Sequence, residues 1–429
     1  MKNNKLIRHV LIVGAITLIL ASCAKSTVSQ GFDWPQWRGP TGNGVSTETE
    51  WNPKALENGP NVVRRTNIGS GYSNVAVKGN RLYAIGNIGE GNAIFCFNAE
   101  TGKKYWHSPF KSNGASPQST PTIDGDFLYA LSADGFLLCL KTKNGKIQWQ
   151  RNIVEEFQVR APFYGFAGSP VIEGDLIILT ANTFGIALSK KIGDKVWVSE
   201  KPPKERYPGN STGTEYATPV VYEQSGKRFA VVPSYMGLFS VDVATGKSLW
   251  LFDWEKEYDS DIQAQVAEPI IFNNKLFLVQ YYNRHIGSAL LDIEGKSPKI
   301  LWTNKNMKSE TSSPVMVDGH FYICQGGVET STGSLRCLDG KTGDILWEET
   351  LNGRPISLTA ADRKLIVLDD KGMLYIAEAS SAGYKEISSC DVFQGEKRFR
   401  KFWTPPVLCN SRIYCRSYGG DLVCIDMSK

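Results

Sequence analysis

The chain has 429 residues, 41% hydrophobic and 21% charged, with a formal net charge of +5. Such a composition gives ample length for a large core and excludes a disordered or low-complexity chain. Removing three N-terminal cations, Lys2, Lys5 and Arg8, takes the charge from +5 to +2, too near neutral to imply nucleic acid or an anionic membrane surface as a partner.

In chain order, residues 1–22 read as a signal peptide. Those three cations form its basic start, and Val10 to Leu20 is an apolar stretch too short to span a bilayer comfortably. Leu20-Ala21-Ser22-Cys23 resembles a bacterial lipobox, which implies lipidation at Cys23. Ala24 follows instead of Asp, and no acidic run succeeds it. The expectation is a cell-envelope protein, lipid-anchored in the outer membrane and facing the periplasm.

Residues 23–58 form a leader without a clear period. Its centre, Phe32-Asp33-Trp34-Pro35-Gln36-Trp37-Arg38-Gly39-Pro40, holds two Trp within four residues, so the segment should dock on the fold. Asn61 to Asn67 has the form of a blade's last strand but lacks the turn that precedes such strands elsewhere. Arg64 stands where the repeat would place Trp.

From there to residue 429 the chain repeats. A hairpin turn followed by a Trp strand appears at Thr101-Gly102 with Trp106, Asn144-Gly145 with Trp149, Gly193 with Trp197, Thr245-Gly246 with Trp250, and Thr342-Gly343 with Trp347. Trp302 follows a longer turn. These Trp lie 43 to 53 residues apart, the period of a radial array of short strands. Pro121, Pro170, Pro219, Pro269, Pro314 and Pro406 each open an innermost strand, where a missing N–H wastes no ladder bond. The seventh repeat is degenerate, and the eighth ends after three strands. The fold class predicted for residues 59–429 is all-β: an eight-bladed propeller of four-stranded antiparallel blades. The N-terminal strand completes the last blade and removes its free edge.

Nine cysteines in an exported chain invite disulfides. However, Cys96, Cys139, Cys337 and Cys424 share one strand position that Ala187 and Ser240 fill elsewhere, which reads as a small packing slot. The hairpins Cys324/Cys337 and Cys415/Cys424 are offset by one residue, so at most one carries a bridge.

The Trp turns, Pro strands and eight-fold count resemble the pyrroloquinoline-quinone-like propeller superfamily over nearly all of the mature chain. Trp34 to Pro40, Tyr164 to Pro170 and Phe402 to Val407 resemble a bacterial subgroup of it. The resemblance implies that Trp106, Trp149, Trp197, Trp250, Trp302 and Trp347 each dock on the next blade. It includes the lipoprotein propeller of the outer-membrane β-barrel assembly machinery, which works as a docking platform.

Three functions follow from these residues. The first is a monomeric binding scaffold in outer-membrane protein assembly or envelope glycan handling, with a protein or glycan partner and no cofactor. The second is an oxidoreductase using pyrroloquinoline quinone and calcium; its alcohol-oxidising relatives carry long insertions and an adjacent Cys pair, and this chain has neither. The third is a polysaccharide lyase, in which Tyr and His transfer protons and Arg neutralises a uronate. Candidate ligand-binding residues at one channel mouth are Arg160, Tyr164, Glu215, Tyr216, Tyr281, Tyr282, Arg284, His285, Arg354 and Trp403. No metal-ligand spacing, phosphate loop or catalytic triad order appears. The reading leans to binding over catalysis.

Overall fold

The computed structural model describes residues 32–181, 183–200, 215–234, 236–258, 266–281, 287–327, 330, 332–395 and 401–428. The signal peptide, Cys23, Tyr282, Arg284 and His285 lie outside the described residues.

Eight sheets are formed. Blades 1 to 7 use four consecutive antiparallel strands each, within residues 76–110, 122–152, 171–198, 220–253, 270–304, 315–349 and 355–391. Blade 8 has three strands within 407–426 and takes Val62–Asn67 as its fourth, antiparallel to Asp421–Asp426. The ring is therefore closed by hydrogen bonds between the two ends of the propeller, and blade 8 keeps no open edge there.

Short innermost strands of three to seven residues face the axis. In each blade a two-residue hairpin turn joins the first strand to the second. Residues at these turns adopt positive φ, as at Asn273 and Asn274 (46° and 57°) and at Asp362 and Arg363 (45° and 57°). Such turns match the right-handed strand twist. The turns define one face of the ring. Connections between blades, with the loops joining second and third strands, define the other, which we call the loop face.

Third and fourth strands are joined through a bulge at the repeat Trp. Cys96 pairs with Trp106, Cys139 with Trp149, Ala187 with Trp197, Ser240 with Trp250 and Cys337 with Trp347, each beside a register shift. Cys424 pairs with Arg64 in the same way. The slot is thus the position directly across from the docking side chain. It is not small everywhere, since Leu290 faces Trp302 and Ile376 faces Ser388. In blade 5 the second-strand neighbour of Leu290 is Phe277, which stacks on Phe321 of blade 6 at 3.8 Å and fills the space differently.

Four indoles donate to carbonyls of the next blade: Trp106 to Thr142, Trp149 to Lys190, Trp197 to Val243 and Trp347 to Ser380. Trp302 packs against the Gly343 turn of blade 6. Trp250 is buried among blade 4 and 5 side chains, but its Nε1 donates to Tyr222 of its own blade. Arg64 sits on the Gly102 turn of blade 1 and donates to the Asn98 carbonyl. The eight described cysteines are all buried and free, and neither hairpin carries a bridge. Cys324 pairs with Leu335, and Cys337 pairs with Tyr322.

Candidate functional site

The residue before each inner-strand proline is forced toward extended backbone by the following ring. In blades 2 to 5 the N–H of this residue is accepted by a side chain of the next blade, and in blade 1 Asn74, which no proline follows, does the same. Asn74 N donates to Thr120 Oγ1 (2.9 Å), Thr120 N to Ser169 Oγ (2.9 Å), and Ser169 N to Thr218 Oγ1 (3.1 Å). Thr218 N donates to Glu268 Oε1 (3.1 Å), and Glu268 N to Ser313 Oγ (3.0 Å). A collar of side-chain oxygens thus runs without a break from blade 1 to blade 6. Asn74 Nδ2 continues it backwards to the Pro405 carbonyl of blade 8. Glu268 is the carboxylate in a series of hydroxyls, and its second oxygen accepts from Ser313. The sequence signal is Ser, Thr or Glu before Pro, five times over, a signal carried by the residue ahead of each proline and not by the proline itself.

The leader crosses the ring beneath this collar. Trp34 exchanges both backbone hydrogen bonds with Val77 of blade 1, and the Pro35 carbonyl accepts from Ile123 of blade 2. Three residues later, Arg38 Nη2 donates to the Pro314 carbonyl of blade 6 (2.6 Å). Blades 2 and 6 are opposite in an eight-membered ring, so the chain spans the axis here. Val45–Ser46 then adds a parallel strand to blade 7 at Ala360 and Ala361. Glu48 accepts from Ser411 of blade 8. The Arg38 side chain is 5% exposed and also donates to the Gly42 and Asn43 carbonyls. Burial pulls its pKa down to about 10, against the pull of the Glu268 carboxylate. Pro314 and Glu268 mark the loop-face ends of their strands, so the guanidinium points up into the channel. The leader obstructs the turn-face end, leaving the loop face as the mouth.

Arg416 closes the wall between blades 8 and 1. It is 1% exposed and donates to the Ser73, Ile85 and Gly69 carbonyls, and burial lowers its pKa to about 9.

The loop face carries the described sequence candidates, in separate groups. Trp403 stacks on Tyr72 (4.7 Å, 8°), and Tyr72 packs on Tyr418 (4.7 Å, 37°). Lys401 Nζ lies over Trp403, 5.4 Å from the ring centroid. Tyr164 lies 6.1 Å from Tyr216, whose hydroxyl accepts from the Tyr164 N–H. Glu215 beside it is buried. Arg160 is exposed. Arg354 pairs with Asp370 (3.4 Å) and donates to the Gly327 and Thr330 carbonyls. Tyr281 lies against Gly327, leaving no room there for a side chain. Arg354 also lines a cavity of about 10 Å³ with Ser312, Cys324 and Ile356, the scale of a single water. Phe163, Tyr72 and Tyr418 were not singled out from the sequence, because isolated aromatics in loops carry no period.

Two features test the quinone and calcium chemistry. Trp403 on the loop face has Tyr72 stacked on its ring and Lys401 over it, so both neighbours compete with a planar ligand for that indole. Among the described residues no three His, Cys, Asp or Glu side chains gather in a way that would hold a cation.

Fold and repeat together define an eight-bladed propeller of the pyrroloquinoline-quinone-like class. The family described as outer membrane protein assembly factor BamB matches residues 37–160 and 156–347, and the chain belongs to that family. Among solved structures, BamB from Moraxella catarrhalis is similar with a TM-score of 0.59 and 16% identity, over 85% of this chain and 98% of that one. A europium-containing methanol dehydrogenase is similar with a TM-score of 0.67 and 12% identity, over 92% of this chain and 89% of that one. At such identities these likenesses establish the fold alone. Lupanine 17-hydroxylase [cytochrome c] from a Pseudomonas species is 30% identical over 128 residues, 28% of this chain and 18% of the relative. The chain spans less than half the length of the curated relatives it matches.

Proposed function

We propose that this chain is a lipid-anchored, periplasm-facing scaffold that docks partner proteins in outer-membrane protein assembly. Membership of the BamB family supports the scaffold role, and the lipobox at Cys23 supports the anchor. The observation that carries the docking reading lies on the rim. Ile192, Val196 and Val198 are 51%, 49% and 40% exposed on the turn and outermost strand of blade 3. That strand is last in its sheet. An edge strand bearing a cluster of exposed apolar side chains is a template for a partner's strand or an apolar patch.

The test is a photo-crosslinking residue at position 192 in the full chain, in cells. The expected product joins the chain to a component of the β-barrel assembly machinery. A Val196→Lys/Val198→Lys double variant should lose that product without losing thermal stability, because both side chains are exposed. Crosslinking to no envelope protein, or equal crosslinking in the double variant, overturns the reading.

A further inference from the structure

The two aromatic groups on the loop face are not independent. The connection between blades 1 and 2 ties them together. Ser116 Oγ hydrogen-bonds the Tyr418 hydroxyl at 3.1 Å, the Pro117 carbonyl accepts from Tyr72 N at 2.8 Å, and Gln118 Nε2 donates to the Tyr164 carbonyl. Three consecutive residues therefore join the Trp403–Tyr72–Tyr418 stack to the Tyr164–Tyr216 pair. The result is an arc of rings around the mouth, from the approach to blade 8 to the approach to blade 4.

Its chemistry is specific. At one end Phe163 and Tyr164 stand 72% and 68% exposed, with ring centroids 4.8 Å apart and planes at 87°. Two rings at right angles present a floor and a wall. Exposed aromatic faces of this size are costly to leave in water unless something covers them. Four of the six rings in the arc carry phenol hydroxyls, and Ser116 and Gln118 lie between the groups. A protein partner's anchor fits best into an apolar pocket. Alternating ring faces and hydroxyls instead match a pyranose, which has an apolar C–H face and a rim of hydroxyls. At the other end Lys401 sets an exposed ammonium over Trp403, where an anionic substituent on a sugar would meet it.

We infer that the aromatic arc on the loop face is a binding site for an acidic oligosaccharide chain several sugars long. Phe163 and Tyr164 stack the C–H faces of its sugars and Lys401 selects its charge. The site is separate from the blade 3 rim, so it does not rest on the docking reading above.

The experiment is titration calorimetry of the full-length chain in detergent with a hexameric oligogalacturonate, against a neutral gluco-oligosaccharide of equal length. The acidic chain should bind at least about tenfold tighter than the neutral one. Phe163→Ala/Tyr164→Ala should weaken both by about tenfold or more, with unchanged melting because both side chains are exposed. Lys401→Gln should remove the preference for the acidic chain while keeping neutral binding. Val196→Lys/Val198→Lys should leave all sugar affinities unchanged. Binding of neither sugar, or binding indifferent to both the aromatic and the Lys401 variants, overturns the proposal. So does occupation of the arc by a protein partner in crosslinking from position 164.

Discussion

Tyr83 and Trp106, on the second and fourth strands of blade 1, donate to one and the same carbonyl, that of Thr142 in blade 2, at 3.2 and 3.1 Å. Cys96 lies between them on the third strand, paired with both. Blade 2 repeats the device, Tyr129 and Trp149 converging on Lys190 across Cys139. The ring centroids are 5.9 and 6.1 Å apart in the two blades, and 6.0 Å for Tyr322 and Trp347 of blade 6, across Cys337. A small residue in the middle lets two large ones lean together over the next blade's turn. In blade 8 the trio is Tyr414, Cys424 and Arg64, with Tyr414 donating to the Ala99 carbonyl of blade 1.

Because two donors share one acceptor, their losses should be unequal. Tyr129→Phe removes one hydrogen bond while the Trp149 indole still covers the Lys190 carbonyl, so it should cost about 1 kcal/mol. Trp149→Ala removes the packing as well and should cost about 3 kcal/mol, the lower end for a large aromatic because Trp149 is half-buried. Urea unfolding of the two variants checks the order. Equal costs would mean that the indole contributes a hydrogen bond and little packing.

The middle residue of each trio also sets its chemistry. Burial raises the thiol of Cys337 to about 12 and that of Cys139 to about 11. A thiol kept protonated and covered is a poor nucleophile. None of the eight described cysteines should react with a thiol reagent in the folded protein, and all eight should react in urea. Reducing agent should leave the melting temperature unchanged. Rapid labelling of any of them before unfolding would show that a blade opens locally.

The propeller was legible in the sequence because its signals are periodic: a Trp across a bulge, a Pro opening a strand, an orphan strand at Val62 that found Asp421–Asp426. The slot reading of Cys96 and its equivalents followed from the same register. What was not legible depends on closure in three dimensions. Nothing local to Arg38 tells that it reaches Pro314, 276 residues away. The Tyr72–Trp403 stack likewise joins the two ends of the chain. Leu290 and Ile376 break the small-slot pattern: Leu290 sits beside Phe277, and Ile376 faces Ser388 where other blades have Trp, which a single-position alignment does not weigh.

Glu48 predicts a pH dependence. It is 1% exposed, and burial raises its pKa above 4.5, partly offset by hydrogen bonds from Ser411. Below the unfolded value both states are protonated and the carboxyl carries no penalty. As pH rises through that value the unfolded chain ionises first, so stability falls until the folded pKa is passed. Glu48→Gln keeps an acceptor for Ser411 and cannot ionise. The variant should therefore gain stability relative to the parent between pH 4.5 and pH 7, read as urea midpoints at the two values. A constant difference across that range would show that Glu48 does not titrate with folding.

Arg38 offers the sharpest test of the leader. Its guanidinium donates to carbonyls of Gly42, Asn43 and Pro314, so it both folds its own loop and fastens that loop across the channel. Arg38→Ala strands three acceptors in a buried place, and the cost should be about 3 kcal/mol. Arg38→Lys keeps the charge but cannot reproduce a planar fork reaching three carbonyls, so it should recover less than half of that loss. Trp34 gives an independent reading of the same segment: it is 1% exposed and packs over Gly39. Limited proteolysis should then cut between residues 34 and 46 faster in Arg38→Ala than in the parent, with the blades still intact. Unchanged cleavage in a destabilised variant would mean that the loss spreads through the ring and that Arg38 is not what holds the leader in place.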